Sequence, residues 1–223
     1  MNSIFINYFK KSIYLIVLIG FNVSFAGSYE DFFIAIKRDD PQTIQQLLAR
    51  GFDANTLDPN SQHGLYLALQ EPSLKAAQAL IDWPKTDLNH LNAQGESALM
   101  IAALSNQLEV ARQLLKRGAD VNKTGWSPLH YAATHGHLAM ISLLLENHAY
   151  IDAESPNGST PLMMAALYGS AESVRLLLEE GADPLLKNQL GLTAIDFAHR
   201  ASRIESAEVI ARFVRRARPA GQW

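Results

Sequence analysis

The chain has no cysteine among its 223 residues. This absence excludes disulfide frameworks, cysteine-ligated zinc sites and cysteine nucleophiles. It is also compatible with an oxidising compartment. Charged residues are few, at 18%, whereas apolar residues make up 48% of the chain. This balance predicts a packed core and excludes a wholly disordered protein.

The chain also lacks an excess of basic charge. Its formal net charge is −3, and it becomes −5 without the first 26 residues, which contain Lys10, Lys11 and no acidic residue. Nucleic-acid binding requires a basic surface, so we expect none. No Gly-x-Ser-x-Gly elbow, phosphate-binding loop or His-Glu-x-x-His motif is present. We therefore expect no enzymatic activity, no cofactor and no bound metal.

Only one long hydrophobic run occurs, between Ile13 and Phe21. It follows the two lysines and precedes the small residues Ser24 and Ala26. This order is typical of a secretory signal peptide, and it predicts cleavage between Ala26 and Gly27, with residues 1–26 removed. The run is shorter than the roughly 20 residues that a membrane-spanning helix needs, although an uncleaved anchor remains the alternative. Both alternatives place the rest of the chain across the membrane, so we expect a periplasmic or secreted protein with no stable membrane insertion after cleavage.

A pattern of about 33 residues recurs six times along the rest of the chain. The copies begin near residues 28, 61, 95, 125, 158 and 191. An apolar residue stands four positions after each start, and an alanine stands seven positions after it, namely Ala35, Ala68, Ala102, Ala132, Ala165 and Ala198. Internal periods of this length indicate a repeat architecture.

Each copy predicts two short helices, as the copy at Gly125 illustrates. Ser127 and Pro128 are typical of a helix start, and Gly136 is typical of a helix end. A second apolar stripe predicts another helix, from about Leu138 to Glu146. Helices this short are unstable alone, so the copies must stack on one another. We predict an all-α fold, a continuous solenoid of six helix–turn–helix repeats that occupies residues 27–223.

Several motifs identify the type of repeat: Gly125 to Ala133, Gly136-His137, Leu143 to Leu145, Gly158 to Leu162, Leu176 to Asp183 and Leu114 to Asn122. They resemble the ankyrin-repeat family, and the resemblance covers essentially all of residues 28–217. It implies paired antiparallel helices, a hairpin-like finger that projects from one edge of each repeat, and a protein-binding role without catalytic activity. Together with the export signal, it suggests a secreted or periplasmic bacterial member of the family.

The sequence departs from the family pattern at several positions. The finger between Asn122 and Gly125 is about three residues short, which predicts a locally shallow groove. Asn106 replaces a helix-ending glycine, and asparagine tolerates the left-handed conformation. Pro84 stands where glycine is usual. The first and last copies lack parts of the motif and are expected to cap the stack.

Three histidines that are close in sequence, His130, His135 and His137, raise the alternative of a metal site. The ankyrin pattern itself supplies His130 and His137, and in that family the first of these bonds the hydroxyl that opens the helix, here Ser127. Zinc ligands must converge and need supporting contacts, so we favour structural roles. Asp39 and Asp40 precede a proline and predict a helix start.

A cluster of basic residues occurs near the C-terminus. We favour a solvated cap helix in which the arginines lie beside Glu205 and Glu208. The alternative is a site for an acidic partner or an anionic lipid. The arginines are Arg200, Arg203, Arg212, Arg215, Arg216 and Arg218.

The family resemblance implies that the fingers and the outward side of the first helices line a concave binding face. We expect Trp126, Leu104, Leu167 and Tyr168 to be neighbours there, as in a binding hot spot. The alternative is that the two leucines are tucked between copies. The candidate protein-binding residues are Leu104, Trp126, Thr134, His135, Leu167, Tyr168 and Leu192.

We therefore predict an exported, monomeric, non-catalytic scaffold that binds an unidentified partner protein through its concave face. Two alternatives remain at this point. One is a secreted effector that acts on host proteins, and the other is a ligand- or metal-binding protein built on the same stack.

Overall fold

The computed structural model describes residues 27–70 and 73–217. Within these ranges the chain forms twelve α-helices and no strand, with an isolated bridge between Leu57 and His63. The prediction of an all-α fold with six helix pairs is confirmed. The helices are α1 (27–37), α2 (Pro41–Ala49), α3 (Gly64–Gln70), α4 (Leu74–Asp82), α5 (Ala98–Leu104), α6 (Leu108–Lys116), α7 (Pro128–His135), α8 (Leu138–Glu146), α9 (Pro161–Tyr168), α10 (Ala171–Glu179), α11 (Ala194–Arg200) and α12 (Ile204–Ala217).

The chain divides into two compact units between Asp87 and Leu88. In the first unit, α4 packs against α2 and α3. In the second unit, the first helices of successive repeats pack in the order α5, α7, α9 and α11, and the second helices pack in the order α6, α8, α10 and α12. Each first helix of this unit has only seven or eight residues, so each is stabilised by its neighbours.

The recurring alanine of each repeat is buried. All six, from Ala35 to Ala198, expose 3% of their surface or less. The apolar residue three positions earlier is fully buried in most repeats and half-buried only at Ile195, in the last one. Because these positions are buried in a packed interior, a side chain larger than alanine would have to displace its neighbours.

The ends of the first helices agree largely with the sequence. Gly136 adopts the left-handed conformation, with φ 66°, and Asn106 replaces glycine in the same conformation, with φ 53°. Asp39 and Ser202 do so at the equivalent positions of the first and last repeats. The fifth repeat differs, because Gly169 is extended, with φ −74° and ψ −153°.

The second helices end in two ways. At three of these ends a glycine adopts the left-handed conformation, and His148 adopts it in the fourth repeat, with φ 66°. Pro84 changes the exit in the second repeat. There α4 ends at Asp82, and Trp83 is extended, as the residue before proline prefers.

An asparagine or aspartate side chain in each of four inter-repeat loops accepts a hydrogen bond from the next loop. Asn55 accepts from the Asp87 amide at 2.7 Å, and in the second unit Asn89 accepts from the Asp120 amide at 2.8 Å. Asn122 and Asp152 accept likewise from the amides of Tyr150 and Asp183. We call these four residues the loop ladder. It satisfies loop amides that no helix pairs.

Two residues near the ends of the described chain, Asp40 and Arg212, make contacts that agree with the sequence predictions. Asp40 caps α2 by accepting bonds from two backbone amides, as its position before Pro41 predicted. In α12, Arg212 lies 3.9 Å from Glu208, which agrees with a solvated cap helix.

The predicted signal peptide, with Ala26, and Arg218 lie outside the described residues, whereas Gly27 is exposed at the start of the described part of α1. None of the described helices has the length and apolar character needed to cross a membrane.

Candidate functional site

Four of the loops that precede first helices form hairpin fingers of one design. A polar residue donates its backbone N–H to the carbonyl four residues later, at 2.9–3.0 Å, and its side chain accepts amide bonds from the turn. The pairs are Asp58–Gln62, Asn92–Glu96, Ser155–Ser159 and Asn188–Leu192. These are the fingers that the family resemblance implied.

The loop before α7 is shorter and has no such hairpin bond between its described residues. By count from Gly125, Asn122 should open the finger, but its side chain belongs to the loop ladder. A β-carbon on Gly95 would lie 3.8 Å from Lys123 Nζ, and one on Gly125 would lie 3.5 Å from Pro156 Cγ. The short loop therefore lies between the fingers that precede α5 and α9, and Trp126 follows it directly.

A pocket of about 250 Å³ opens beside this loop. Its surface is almost entirely apolar, and it lies between α5, α7 and α9, so three successive repeats contribute to it. We call it the Trp126 pocket. Its lining residues are Leu104, Trp126, His130, Tyr131, Thr134, His135 and Met164.

His130 forms the buried back of the Trp126 pocket. Its Nδ1 accepts a bond from the Ser127 amide at 3.2 Å and lies 2.8 Å from the Ser127 hydroxyl, so the contact that the family resemblance implied is confirmed. Its Nε2 donates to the Ser159 carbonyl of the next repeat at 3.0 Å. Burial lowers the pKa of His130, so the ring is neutral at pH 7. The Trp126 ring meets it edge to face at 5.3 Å.

Two further contacts fix the rim of the pocket. The Tyr131 hydroxyl donates to one oxygen of Glu96 at 2.9 Å, and Asn92 donates to the other at 2.9 Å. On the opposite end of α7, His135 Nδ1 lies 3.3 Å from the Tyr131 carbonyl, and its ring stacks on His137 at 5.5 Å. The rim therefore contains a carboxylate that is already hydrogen-bonded and an exposed imidazole.

The structure brings together four of the seven candidate binding residues: Leu104, Trp126, Thr134 and His135 all line the Trp126 pocket. Leu167 and Tyr168 end α9 at the positions equivalent to Thr134 and His135. Leu167 is half-buried and Tyr168 is 56% exposed, but neither lines the pocket. Leu192 is half-buried in the finger before α11. We call the surface formed by the Trp126 pocket and the last turns of α5, α7 and α9 the first-helix face.

Three lining residues were not among the sequence candidates: His130, for which a structural role was predicted, Tyr131 and Met164. Tyr131 and Met164 each stand six positions after a repeat start, three residues before Thr134 and Leu167. Residues three apart on a helix lie on the same face. The candidate positions could therefore have been extended by one helical turn.

No group of three or more histidine, aspartate or glutamate side chains in the described residues is arranged to hold a metal ion. His137 donates from Nε2 to the Leu104 carbonyl at 3.2 Å, so it links neighbouring repeats. Arg203, one of the C-terminal arginines, does the same for the last repeat. It donates to the carbonyls of Gly169 at 2.8 Å and Tyr168 at 3.0 Å.

Comparison with known proteins identifies the repeats. The family model for ankyrin repeats (3 copies) matches residues 32–124 and 121–188. The chain is 35% identical over 155 residues to the B-cell lymphoma 3 protein homolog of Mus musculus, covering 66% of this chain and 35% of that protein. It is 33% identical over 145 residues to the nuclear factor NF-kappa-B p105 subunit of Mus musculus, covering 62% and 15%. The chain thus spans about a third or less of the length of these relatives.

Solved structures also resemble the chain. An ankyrin repeat domain from Acinetobacter baumannii superposes with a TM-score of 0.73 at 25% identity, covering 82% of this chain and 97% of that one. A chain from the complex of the Bd0816 predatory endopeptidase of Bdellovibrio bacteriovorus with the immunity protein Bd3460 gives a TM-score of 0.70 at 28% identity, covering 82% and 97%. The repeat frame, the six helix pairs and the match over most of the chain show that this protein belongs to the ankyrin-repeat family, whose domains are protein-interaction modules.

Proposed function

We propose that the chain is exported from the cytoplasm and binds a partner protein on its first-helix face, without catalytic activity of its own. The Trp126 pocket is the observation that carries this proposal. It combines an indole, a phenol and aliphatic side chains in an open apolar depression, and Tyr168 adds a large exposed ring on the same face. Accessible aromatic residues next to a pocket are typical of protein-binding hot spots.

The size of the pocket favours a protein over a small molecule as the ligand. Its volume of about 250 Å³ lies below the roughly 300–1,000 Å³ of most ligand sites. A protein partner needs only to place one or two side chains there, because the rest of its interface spreads over neighbouring repeats. The likeness to a structure that contains an endopeptidase and an immunity protein makes a bacterial enzyme one candidate class of partner.

Partner capture tests the proposed binding face. The immobilised chain is exposed to native extract, and bound proteins are identified by mass spectrometry for the wild type, Trp126→Ala and Tyr168→Ala. We expect both variants to lose the captured protein at least tenfold, since alanine substitution of a hot-spot aromatic residue costs about 2 kcal/mol or more. Leu138→Ala is the matched control, because Leu138 is 41% exposed on the second helix α8.

Retained capture by both aromatic variants would place the binding site elsewhere. The melting temperature of each variant separates loss of binding from loss of folding.

Export has its own test. The signal-like order of residues 1–26 supports delivery across the membrane, and the family match favours neither the periplasm nor a host cell. Fractionation of the source cells, with N-terminal sequencing of the recovered chain, should find it in the periplasm or medium and beginning at Gly27. Recovery from the cytoplasm with residues 1–26 intact would refute the proposal, and recovery from a host cell would support the effector alternative.

A further inference from the structure

We infer that the Trp126 pocket receives one large apolar side chain from a protruding loop of the partner, and that His135 at its rim pairs with a carboxylate beside that side chain. This inference rests on the proposed function and specifies the chemistry of the partner segment.

The lining of the pocket determines the apolar part. Leu104, Trp126 and Met164 present carbon and sulfur atoms from three repeats, and no carboxylate lines the pocket. The nearest acid on the rim, Glu96, already accepts hydrogen bonds on both oxygens. A large aliphatic or aromatic side chain would displace water from this surface without leaving a buried polar group unpaired.

The charges of the lining residues determine the polar part of the inferred partner segment, the carboxylate. Three lining residues can ionise: His130, Tyr131 and His135. His130 is fully buried between Ser127 and Ser159, and the Tyr131 hydroxyl donates a hydrogen bond to the Glu96 carboxylate. Of the three, only His135 is exposed, and an imidazole can carry only a positive charge. A partner carboxylate complements that charge, whereas a lysine or arginine would oppose it.

The orientation of His135 and the short loop make this pairing accessible. The contact between Nδ1 and the Tyr131 carbonyl directs the other ring nitrogen, Nε2, away from α7. On the other side of the pocket, the loop before α7 lacks a hairpin finger. A protruding loop of a partner can therefore approach between the fingers that precede α5 and α9.

Two small probes test the inference without knowledge of the partner. N-acetyl-L-phenylalanine carries an apolar ring and a carboxylate, and N-acetyl-L-phenylalanine amide carries the same ring without charge. Each is titrated into the ¹⁵N-labelled full chain at about pH 6, where imidazole is largely protonated. We expect saturable shifts of the Trp126 indole N–H and the Leu104 and Thr134 amides. The carboxylate probe should bind about threefold more tightly, the strength of an exposed ion pair.

Two variants separate the contribution of the apolar pocket from that of His135. Thr134→Phe fills the pocket and should abolish the shifts from both probes. His135→Gln should equalise the two probes, whereas the control His148→Gln, at an exposed histidine outside the pocket, should keep the preference.

Absence of saturable shifts in the wild type, or equal affinity of the two probes for it, would overturn the inference, and neither result depends on a variant that folds. Captured partner that still binds Thr134→Phe would overturn the inference and leave the proposed function standing. A chain that binds both probes as expected but captures no protein would instead refute the proposed function.

Discussion

Gly169 lies against the carbonyl oxygen of Ala133 in the preceding repeat: a β-carbon on Gly169 would stand 2.6 Å from that oxygen. It would also lie 2.9 Å from the Ala165 carbonyl oxygen. Both obstacles are backbone atoms, so they cannot move aside without shifting α7 or α9. The extended conformation of Gly169 is open to any residue, and the requirement for glycine here is therefore steric.

We predict that Gly169→Ala lowers the free energy of unfolding by about 3 kcal/mol, the upper end of the usual cost of overpacking. Gly181→Ala is the matched comparison. Gly181 has φ 101° and open space around its α-carbon, so its substitution should cost only the roughly 1 kcal/mol of a strained backbone. Urea denaturation of both variants measures the difference. Equal losses would contradict the close approach at Ala133.

One residue of the loop ladder has an ionisable side chain, whereas the other three are neutral asparagines. Asp152 occupies the position held elsewhere by asparagine, and burial, with a smaller contribution from the neighbouring Asp183 carboxylate, raises its pKa. We predict that Asp152→Asn stabilises the protein at pH 7 by about 0.5 kcal/mol, a small value because solvent screens this half-exposed group. The Asn side chain can still accept the Asp183 amide bond, as Asn122 accepts that of Tyr150.

The sign of the pH dependence follows from the raised pKa. Folded Asp152 binds its proton more tightly than the unfolded chain does, so the wild type gains stability as pH falls through that raised value. The advantage of Asp152→Asn should therefore shrink between pH 7 and about pH 4. Thermal melts across this range measure it, with Asn122→Asp as the reciprocal control that should destabilise. An advantage that grew in acid would contradict the assigned cause.

His130 should make the fold sensitive to mild acid. Desolvation by burial is the main cause that lowers its pKa, so below about pH 6.5 the unfolded imidazole takes a proton that the folded one refuses. The stability that neutral His130 contributes is therefore fully present at higher pH. As pH falls, the free energy of unfolding decreases by up to about 1.4 kcal/mol per pH unit. We predict that His130→Gln loses about 2–4 kcal/mol at pH 7.5, because Ser127 and Ser159 lose their partners.

The variant should also lose this part of the pH dependence. Denaturation at several values between about pH 7.5 and 5 compares its slope with that of the wild type. His148→Gln serves as the control for the loss of an exposed histidine. An identical slope for His130→Gln and the wild type would show that another group carries the acid sensitivity.

The repeat frame could be predicted from the sequence because it depends on features within one repeat. Ser127, Pro128 and Gly136 mark the ends of a helix by local chemistry, and the predicted second helix from Leu138 to Glu146 matches α8. The buried alanines could also be predicted, because their regular spacing is visible in the sequence without knowledge of how the repeats stack.

Contacts between repeats could not be predicted in the same way. Arg203 was grouped with solvent-facing arginines, yet it donates to the carbonyls of Tyr168 and Gly169, about 35 residues away. The steric need for Gly169 and the part played by Met164 in the Trp126 pocket depend likewise on how one helix lies on the next. Periodicity defines which side of a helix is apolar, but the stacking geometry decides which atoms meet.

The loop ladder and the other side-chain bonds between neighbouring repeats share a short reach along the chain. Among the described residues, those named above and the bond from the Ala76 amide to Asp39 connect positions 26 to 37 apart, about the length of a single repeat. Each of these bonds can form as soon as the following repeat is available, so native structure can grow one repeat at a time without waiting for distant segments. Such locality favours rapid folding and lets a partly synthesised chain bury its apolar surface while the remainder is still being made.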